Sequence, residues 1–438
     1  MINSKQPDRT VIPPIGKHFQ LNLAEPEHIK LDNNIDTYII NKGNEEFIRL
    51  DLVFEAGSAL QTKNLVAAGT VSLLIDGTTS LTSAQIAQKI DFYGAYFDTS
   101  LSKDKAGITL YTLSKHLPEL LPLVSQMIVS ASFPEEELKN YLHRKRHQYL
   151  LNNDKVKYKA TVEFNKLVFG DESAYGRTVE ISDYDNLQRD DILSFYKSFY
   201  KPENSYVVIS GNITNDIVSL INRYLGSIKN IEAEYPNSNI NIIGTVTDKD
   251  RFVKKDRSLQ SAIRIGMPII DKQHPDFNSL IVLNTVLGGY FGSRLMTNLR
   301  EDKGFTYGIN SFMVNYKHGG YLSIATEVNA KHTVEALNEI EFEIKRLCNE
   351  EVSNKELDLV KNYIYGTYLR SFDGPMALSE RFKSAKDLDL NFEYYKNGLK
   401  MMMEQTPQKL QATANKYFIY NDMIKLVVGE MDTPLVNH

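Results

Sequence analysis

Apolar and polar positions alternate through DTYIINKG (36–43) and FIRLDLVFEAGSAL (47–60), which predicts two successive strands. The period then changes. LVAAGTVSLLIDG (65–77) and SAQIAQKIDFYG (83–94) read as helices, and Thr82-Ser83 give the second a cap-like start. PEEELKNYLHRKRHQYLLNN (134–153) opens with a proline and three glutamates. The ring pre-sets φ at a first helical position, and the carboxylates suit the positive end of the helix dipole. Strand pairs in hairpins, interleaved with helices, predict an α+β fold rather than a doubly wound sheet.

The pattern is written twice. DKAGITLYTLSKHLPELLPLVSQMI (104–128) is an alternating strand followed by an apolar-periodic helix, and HGGYLSIATEVNAKHTVEALNEIEFEI (318–344) reads the same way. Each has a glycine at the strand entrance, Gly107 and Gly319, and a helix after a lysine–histidine pair, Lys115-His116 and Lys331-His332. FYKSFYKPENSYVVISGNI (195–213) and NKYFIYNDMIKLVVGEM (415–431) end the two halves alike, each a helix end, a turn and a strand closing on Gly211 or Gly429. The expected organisation is an extended arm over 1–34, a first repeat over 35–229, a polar Asn-rich linker over 230–250 and a second repeat over 251–438.

Composition narrows the class. The 438 residues are 42% hydrophobic and 24% charged, a globular balance, and exceed what one ordinary core holds. A net charge of −5 gives no reason to expect nucleic acid or a membrane as partner, and HRKRH (143–147) reads as a solvated helix face. The single cysteine, Cys348, excludes intrachain disulfides and reads as a helical thiol, buried or half-buried, rather than a nucleophile. No apolar leader region or run of about 18 apolar residues is visible, so the expected location is cytoplasmic.

Four stretches in order carry a family likeness: IDGTTSLTSAQIAQKIDFYGA (75–95), FPEEELKNYLHRKRHQYL (133–150), YGRTVEISDYDNLQRDDILSFYKSFYKPENSYVVISGNI (175–213) and GGYFGSRLMTNLREDKGFTYGINS (288–311). With the doubled layout, they resemble a subunit of the insulinase and pitrilysin superfamily of zinc peptidases, of the mitochondrial-processing-peptidase type. The resemblance implies two homologous αβ domains of the LuxS/mitochondrial-processing-peptidase fold. Each would be a mainly antiparallel sheet packed with helices, and the two together would form half of a clamshell.

Peptide-cutting members carry H-x-x-E-H on the helix before the Gly-Thr turn, two histidines for Zn²⁺ and a glutamate to activate water. Counted back from Gly77-Thr78, those positions hold Ala68, Val71 and Ser72, and the third ligand would fall near His147 or Gln148. Hydrocarbon side chains neither bind metal nor move protons, and a lone hydroxyl is a poor ligand. The resemblance assigns the second half's Arg300 and Tyr307 to transition-state stabilisation in trans: a guanidinium and a phenol donating to the oxyanion. It adds Gly288 and Gly289, with Arg300 and Tyr307, as contacts to an extended peptide. It thus implies a zinc-free subunit, with no cofactor of its own, paired in a heterodimer with an H-x-x-E-H sibling that carries the zinc.

Plainer readings stand beside this. Arg300 could pair with Glu301 or Asp302, and Tyr307 could be a packed strand residue. Gly288, Gly289 and Gly292 form either a flexible loop or a helix-ending turn. His143 and His147, at i and i+4, could share a helix face, but Arg-Lys-Arg lies between them and no general base is adjacent. His116 and Glu119 begin an inverted motif that ends on Leu120, at a helix start where a capping or surface role fits better. A homo-oligomeric scaffold or peptide-binding protein of the same fold is the alternative function.

Overall fold

A computed structural model describes residues 10–11, 21, 23–229 and 249–430 of the chain. The linker expected over 230–250 falls almost wholly outside the described residues, as does most of the arm expected over 1–34.

The first half holds strands β1 (Glu27–Lys30), β2 (Asp36–Asn41), β3 (Phe47–Phe54), β4 (Tyr96–Leu101), β5 (Ala106–Leu113) and β6 (Ser205–Gly211). Its helices are α1 (Val66–Leu73), α2 (Ser83–Phe92), α3 (Leu117–Val129), α4 (Glu135–Asn153), α5 (Val156–Phe169), the single turn α6 (Asp183–Asn186), α7 (Arg189–Phe199) and α8 (Asn215–Tyr224). The second half holds β7 (Asp250–Lys254), β8 (Gln260–Ile269), β9 (Ile309–Tyr316), β10 (Gly319–Asn329) and β11 (Ile424–Gly429). Its helices are α9 (Phe277–Asn284), α10 (Thr333–Asn349), α11 (Asn354–Arg370), α12 (Gly374–Lys386), α13 (Phe392–Met403) and α14 (Pro407–Tyr417).

The two sheets share one topology. The first runs β1-β2-β6-β3-β5-β4 and the second β7-β11-β8-β10-β9. In each, the strand that ends the half pairs parallel with the first strand of the shared pattern, β6 with β2 and β11 with β7, while the other ladders are antiparallel. This is the α+β, two-domain architecture expected from the strand and helix pattern. β1, from the stretch read as arm, adds an edge strand to the first sheet. Pro134 is the cap residue of α4 rather than its first helical residue, leaving the three glutamates in the first turn. Thr82 forms a full capping box with Gln85 at the start of α2.

Alternation decides which face meets which helices. In the first sheet Ile48, Leu50, Leu52 and Phe54 join the cluster formed with α1, α3, α7 and α8. Val53, Tyr206 and Val208 face the other way and pack with Leu378, Phe382 and Ala385 of α12, a helix of the second half. The second sheet reciprocates. Ile263, Ile265, Leu322 and Ile324 pack with helices of their own half, whereas Ala262, Leu426 and Val428 pack with Ala160, Phe164 and Val168 of α5, a helix of the first half. Each half lends the other a helix, so the two sheets are fastened into one body. Asp104 reinforces this junction by accepting the Lys317 N–H at 2.9 Å and the Tyr175 hydroxyl.

Candidate functional site

The stretch carrying Arg300 and Tyr307 is an irregular helical corner between α9 and β9. α9 runs on into a π-helical turn, Thr285–Gly289, and after a short turn the chain becomes helical again, with a second π-helical turn over Met296–Asp302. π-helical turns are rare and concentrate at functional sites. Lys303 N–H donates to Asn298 C=O at 3.0 Å and Phe305 N–H to Leu299 C=O at 2.9 Å. These bonds close the turn around Gly304, whose φ of 66° is the left-handed value a helix stop needs.

Arg300 projects from this turn with its Cζ 4.7 Å from the ring centre of Phe291. Among the described residues no carboxylate lies within ion-pair distance of it, so it is not paired to Glu301 or Asp302. Phe291 is itself 61% exposed, and Tyr307 is 95% exposed. Tyr307 is therefore not a packed strand residue; it stands free just before β9, the edge strand of its sheet. Thr306 and Gly308 on either side are pinned. Thr306 Oγ1 donates to Glu327 C=O at 2.8 Å, and Thr326 Oγ1 reaches Thr306 Oγ1 and Gly308 C=O at 3.0 Å each.

The corner is braced from behind. Arg294 forms a two-pronged bond to Glu356 at the start of α11, 2.9 and 3.0 Å. Asn298 Nδ2 donates to Glu339 and Glu343 of α10, at 3.0 and 2.9 Å. These groups line a polar cleft of about 800 Å³. Neither Phe291 nor this bracing was picked out from the sequence. Phe291 lies in the string GGYFG, close in sequence to Arg300, while the bracing partners, tens of residues away, leave no local signal.

Gly288 and Gly289 end the first π-helical turn, so the helix-ending alternative is the conformation present. Gly288 is buried, and a Cβ there would meet Ser311 Cβ and N at 2.7 Å, so packing dictates this glycine. Gly289 is half-buried.

In the first half, Ala68, Val71 and Ser72 lie on α1. Val71 is buried, and the other two are half-buried. Ser72 bonds the phenol of Tyr141 on α4, which burial pushes up to about 12. Nearby, burial lifts the Asp76 carboxyl above its usual range; the Glu137 charge adds to this and Arg144 opposes it. Two hydrocarbons and one hydroxyl are a donor set that does not fit zinc. His143, His147 and Gln148 lie on an exposed face of α4. Among the described residues no three His, Cys, Asp or Glu side chains are grouped to hold a metal ion. His116 is the cap residue of α3 with its ring against Tyr93, and Cys348 is half-buried in α10 with its thiol pushed up by burial. Among the described residues no helix is long and apolar enough to cross a membrane.

Comparison with known proteins gives a likeness of family and fold. Residues 186–364, from the end of α6 to mid-α11, match the family described as the peptidase M16 inactive domain. A Bacillus subtilis protein named as the uncharacterised zinc protease YmxG is 23% identical over 308 residues, 69% of this chain and 73% of the relative. An uncharacterised zinc protease of Rickettsia felis is 24% identical over 358 residues, 78% of this chain and 82% of its own.

The chain is similar to the insulinase-like M16 peptidases.

Two solved structures show that the fold of this chain is shared almost end to end. A peptidase M16 inactive domain from Pseudomonas fluorescens superposes with a TM-score of 0.84 at 20% identity, covering 93% of this chain and 100% of that one. A protease from Helicobacter pylori gives 0.84 at 18%, with the same coverage.

Proposed function

We propose that this chain is the zinc-free subunit of a two-chain zinc peptidase and presents Arg300 and Tyr307 to a peptide held on an H-x-x-E-H sibling. The observation that carries this reading is an exposed Tyr307 and a half-buried Arg300 free of any ion pair, on a braced, π-helical corner, while α1 offers no metal ligands. Exposed polar groups held by rigid surroundings suit a partner that arrives from outside the chain. The guanidinium brings a fork of N–H donors, and the phenol adds one directional donor. Together they would stabilise the oxyanion that forms as water adds to the scissile carbonyl. β9, an unpaired edge beginning two residues after Tyr307, suits an extended peptide, whose backbone it can satisfy by strand addition. The zinc of the sibling would supply the activated water; this chain's own part is to orient substrate and receive charge.

Reconstitution tests the proposal. The purified chain alone should hold no stoichiometric zinc and cut no peptide, while mixing it with an H-x-x-E-H sibling should produce activity that neither has separately. Stable self-association with no affinity for such a sibling would sink the reading in favour of a scaffold.

A further inference from the structure

Asp51 and Arg264 occupy corresponding places in the two sheets. Asp51 lies opposite Val208, three residues before the closing Gly211, and Arg264 lies opposite Leu426, three before the closing Gly429. Each points toward the helix lent by the other half. Asp51 is fully answered there, by Arg49, Thr109, Ser379 and Lys383 at 2.8–2.9 Å.

Arg264 is not answered. It is only 5% exposed. Its Nη1 donates at 2.9 Å to the carbonyl of its own neighbour, Ile263. Its remaining contacts, to Thr326 C=O, Lys157 C=O and Thr161 Oγ1, are all at 3.5 Å, the outer limit of a hydrogen bond. Among the described residues it has no carboxylate within ion-pair distance. Glu327 is close enough to be felt but is held by Lys157 at 3.5 Å. Burial draws the guanidinium below its ordinary range. A buried cation without a counter-charge is costly, and the cost is relieved by an anion with good hydrogen bonds.

A cavity of about 250 Å³ opens at this point, lined by Arg264, Thr161, Asn310, Tyr321, Ser323 and Thr326, with the paired Lys157 and Glu327 also on its wall. The hydroxyl of Ser323, a residue 1% exposed, has no hydrogen-bond partner. Tyr321, pushed up to about 12 by burial, stays a neutral phenol. The volume falls below that of a drug-sized pocket, so the occupant is a small group rather than a nucleotide.

We propose that this cavity binds a small oxyanion, a carboxylate or phosphate group, with the Arg264 guanidinium as its charge partner and the Ser323 hydroxyl as a second donor. Charge-assisted bonds to a guanidinium are the strong ones, and carboxylate and phosphate share the geometry that uses them. The site adjoins the corner described above, because Thr326 is bonded to Thr306 and Gly308 on either side of Tyr307. It does not depend on the peptidase reading, since the whole cavity belongs to this chain.

The test uses the full chain at low ionic strength, titrated by calorimetry and by thermal melting with inorganic phosphate, acetyl-diglycine and acetyl-diglycine amide. The expected result is saturable binding at millimolar concentrations with a rise in melting temperature. Arg264→Gln should weaken binding at least tenfold and Ser323→Ala several-fold, while the surface change Lys331→Gln should leave it intact. Arg264→Gln removes a buried charge and should fold; should it fail to, the Ser323→Ala titration still reads the site. Binding of phosphate alone assigns a free-phosphate site. Binding of the free peptide but not its amide assigns a peptide carboxylate. Saturation by neither anion, or binding unchanged in both variants, overturns the proposal.

Discussion

Asp51 and Lys383 are 332 residues apart in the chain and 2.8 Å apart in the fold. Their contact fixes α12, a helix of the second half, to the middle strand of the first half's sheet. Asp51 is 1% exposed and also accepts both prongs of Arg49. A buried pair of this kind is weak evidence of net stabilisation, but removing one partner strands the others. Asp51→Ala removes the buried carboxylate that Arg49 and Lys383 share and leaves them only the exposed Glu380, which both also reach. The expected cost is about 3–5 kcal/mol, read as a lower midpoint in urea unfolding. An unchanged midpoint would mean that the helix exchange is held by its apolar contacts alone.

The same carboxylate predicts acid sensitivity. Burial by itself raises Asp51, but the hydrogen bond from Arg49 and the charge of Lys383 outweigh it and hold the group below the usual carboxylate range. A depressed folded value means stability that is present above the unfolded value, about 3.9, and is lost as pH falls through the folded one. Asp387, raised chiefly by burial, tilts the curve the opposite way above about pH 4. Comparison with Asp51→Asn isolates the effect: the variant should have a lower plateau near neutrality and a shallower loss below about pH 4. Parallel acid limbs in the two proteins would count against Asp51 as the source.

The two-fold layout was legible because it is local. Each half's strand, lysine–histidine pair and helix recur in order, and both pairs sit in a short 3-10 turn before a helix, Lys115-His116 before α3 and Lys331-His332 before α10. The glycines at the strand entrances are less exact markers. Thr109 corresponds to Ala325 through its partner Asp51, which sets Gly107 against Ser323 rather than Gly319. Arg49 and Asp51 alternate with apolar residues and so read as a solvent face. They are buried because a helix from hundreds of residues away lands on them, and periodicity carries no record of that. The π-helical turns were equally silent, since an inserted residue shifts the helical phase without changing composition.

Glycine substitutions should separate packing from conformation at the candidate site. Gly304 has a left-handed φ of 66° and open space where a Cβ would go, so Gly304→Ala meets only the backbone penalty, about 1 kcal/mol. Gly288→Ala instead drives a methyl group into Ser311, and overpacking of this sort costs about 1–3 kcal/mol. Gly289→Ala, with its closest contact at 3.2 Å, should be the mildest of the pair of helix-ending glycines. Urea midpoints ordered otherwise, with Gly289→Ala worse than Gly288→Ala, would contradict the burial of Gly288 against β9.

The last prediction concerns the exposed corner itself. Tyr307 is almost fully exposed and Arg300, half-buried against Phe291, makes no ion pair, so Tyr307→Phe should change stability by no more than about 0.5 kcal/mol and Arg300→Ala by about 1 kcal/mol at most. In the reconstituted pair, however, each should lower kcat by roughly 10²–10³-fold, the usual cost of removing a preorganised oxyanion donor. Phe291 supplies the platform on which the guanidinium rests. Loss of such an exposed cation–π contact is worth about 0.5–1 kcal/mol. Phe291→Ala should therefore lower kcat only two- to five-fold, and Phe291→Tyr, which keeps the aromatic face, should restore most of it. That ordering distinguishes a positioning ring from one that merely packs: a structural role for Phe291 would lower the urea midpoint, whereas positioning leaves the midpoint alone and moves kcat. Full activity in both Arg300→Ala and Tyr307→Phe would show that the corner serves something other than the oxyanion.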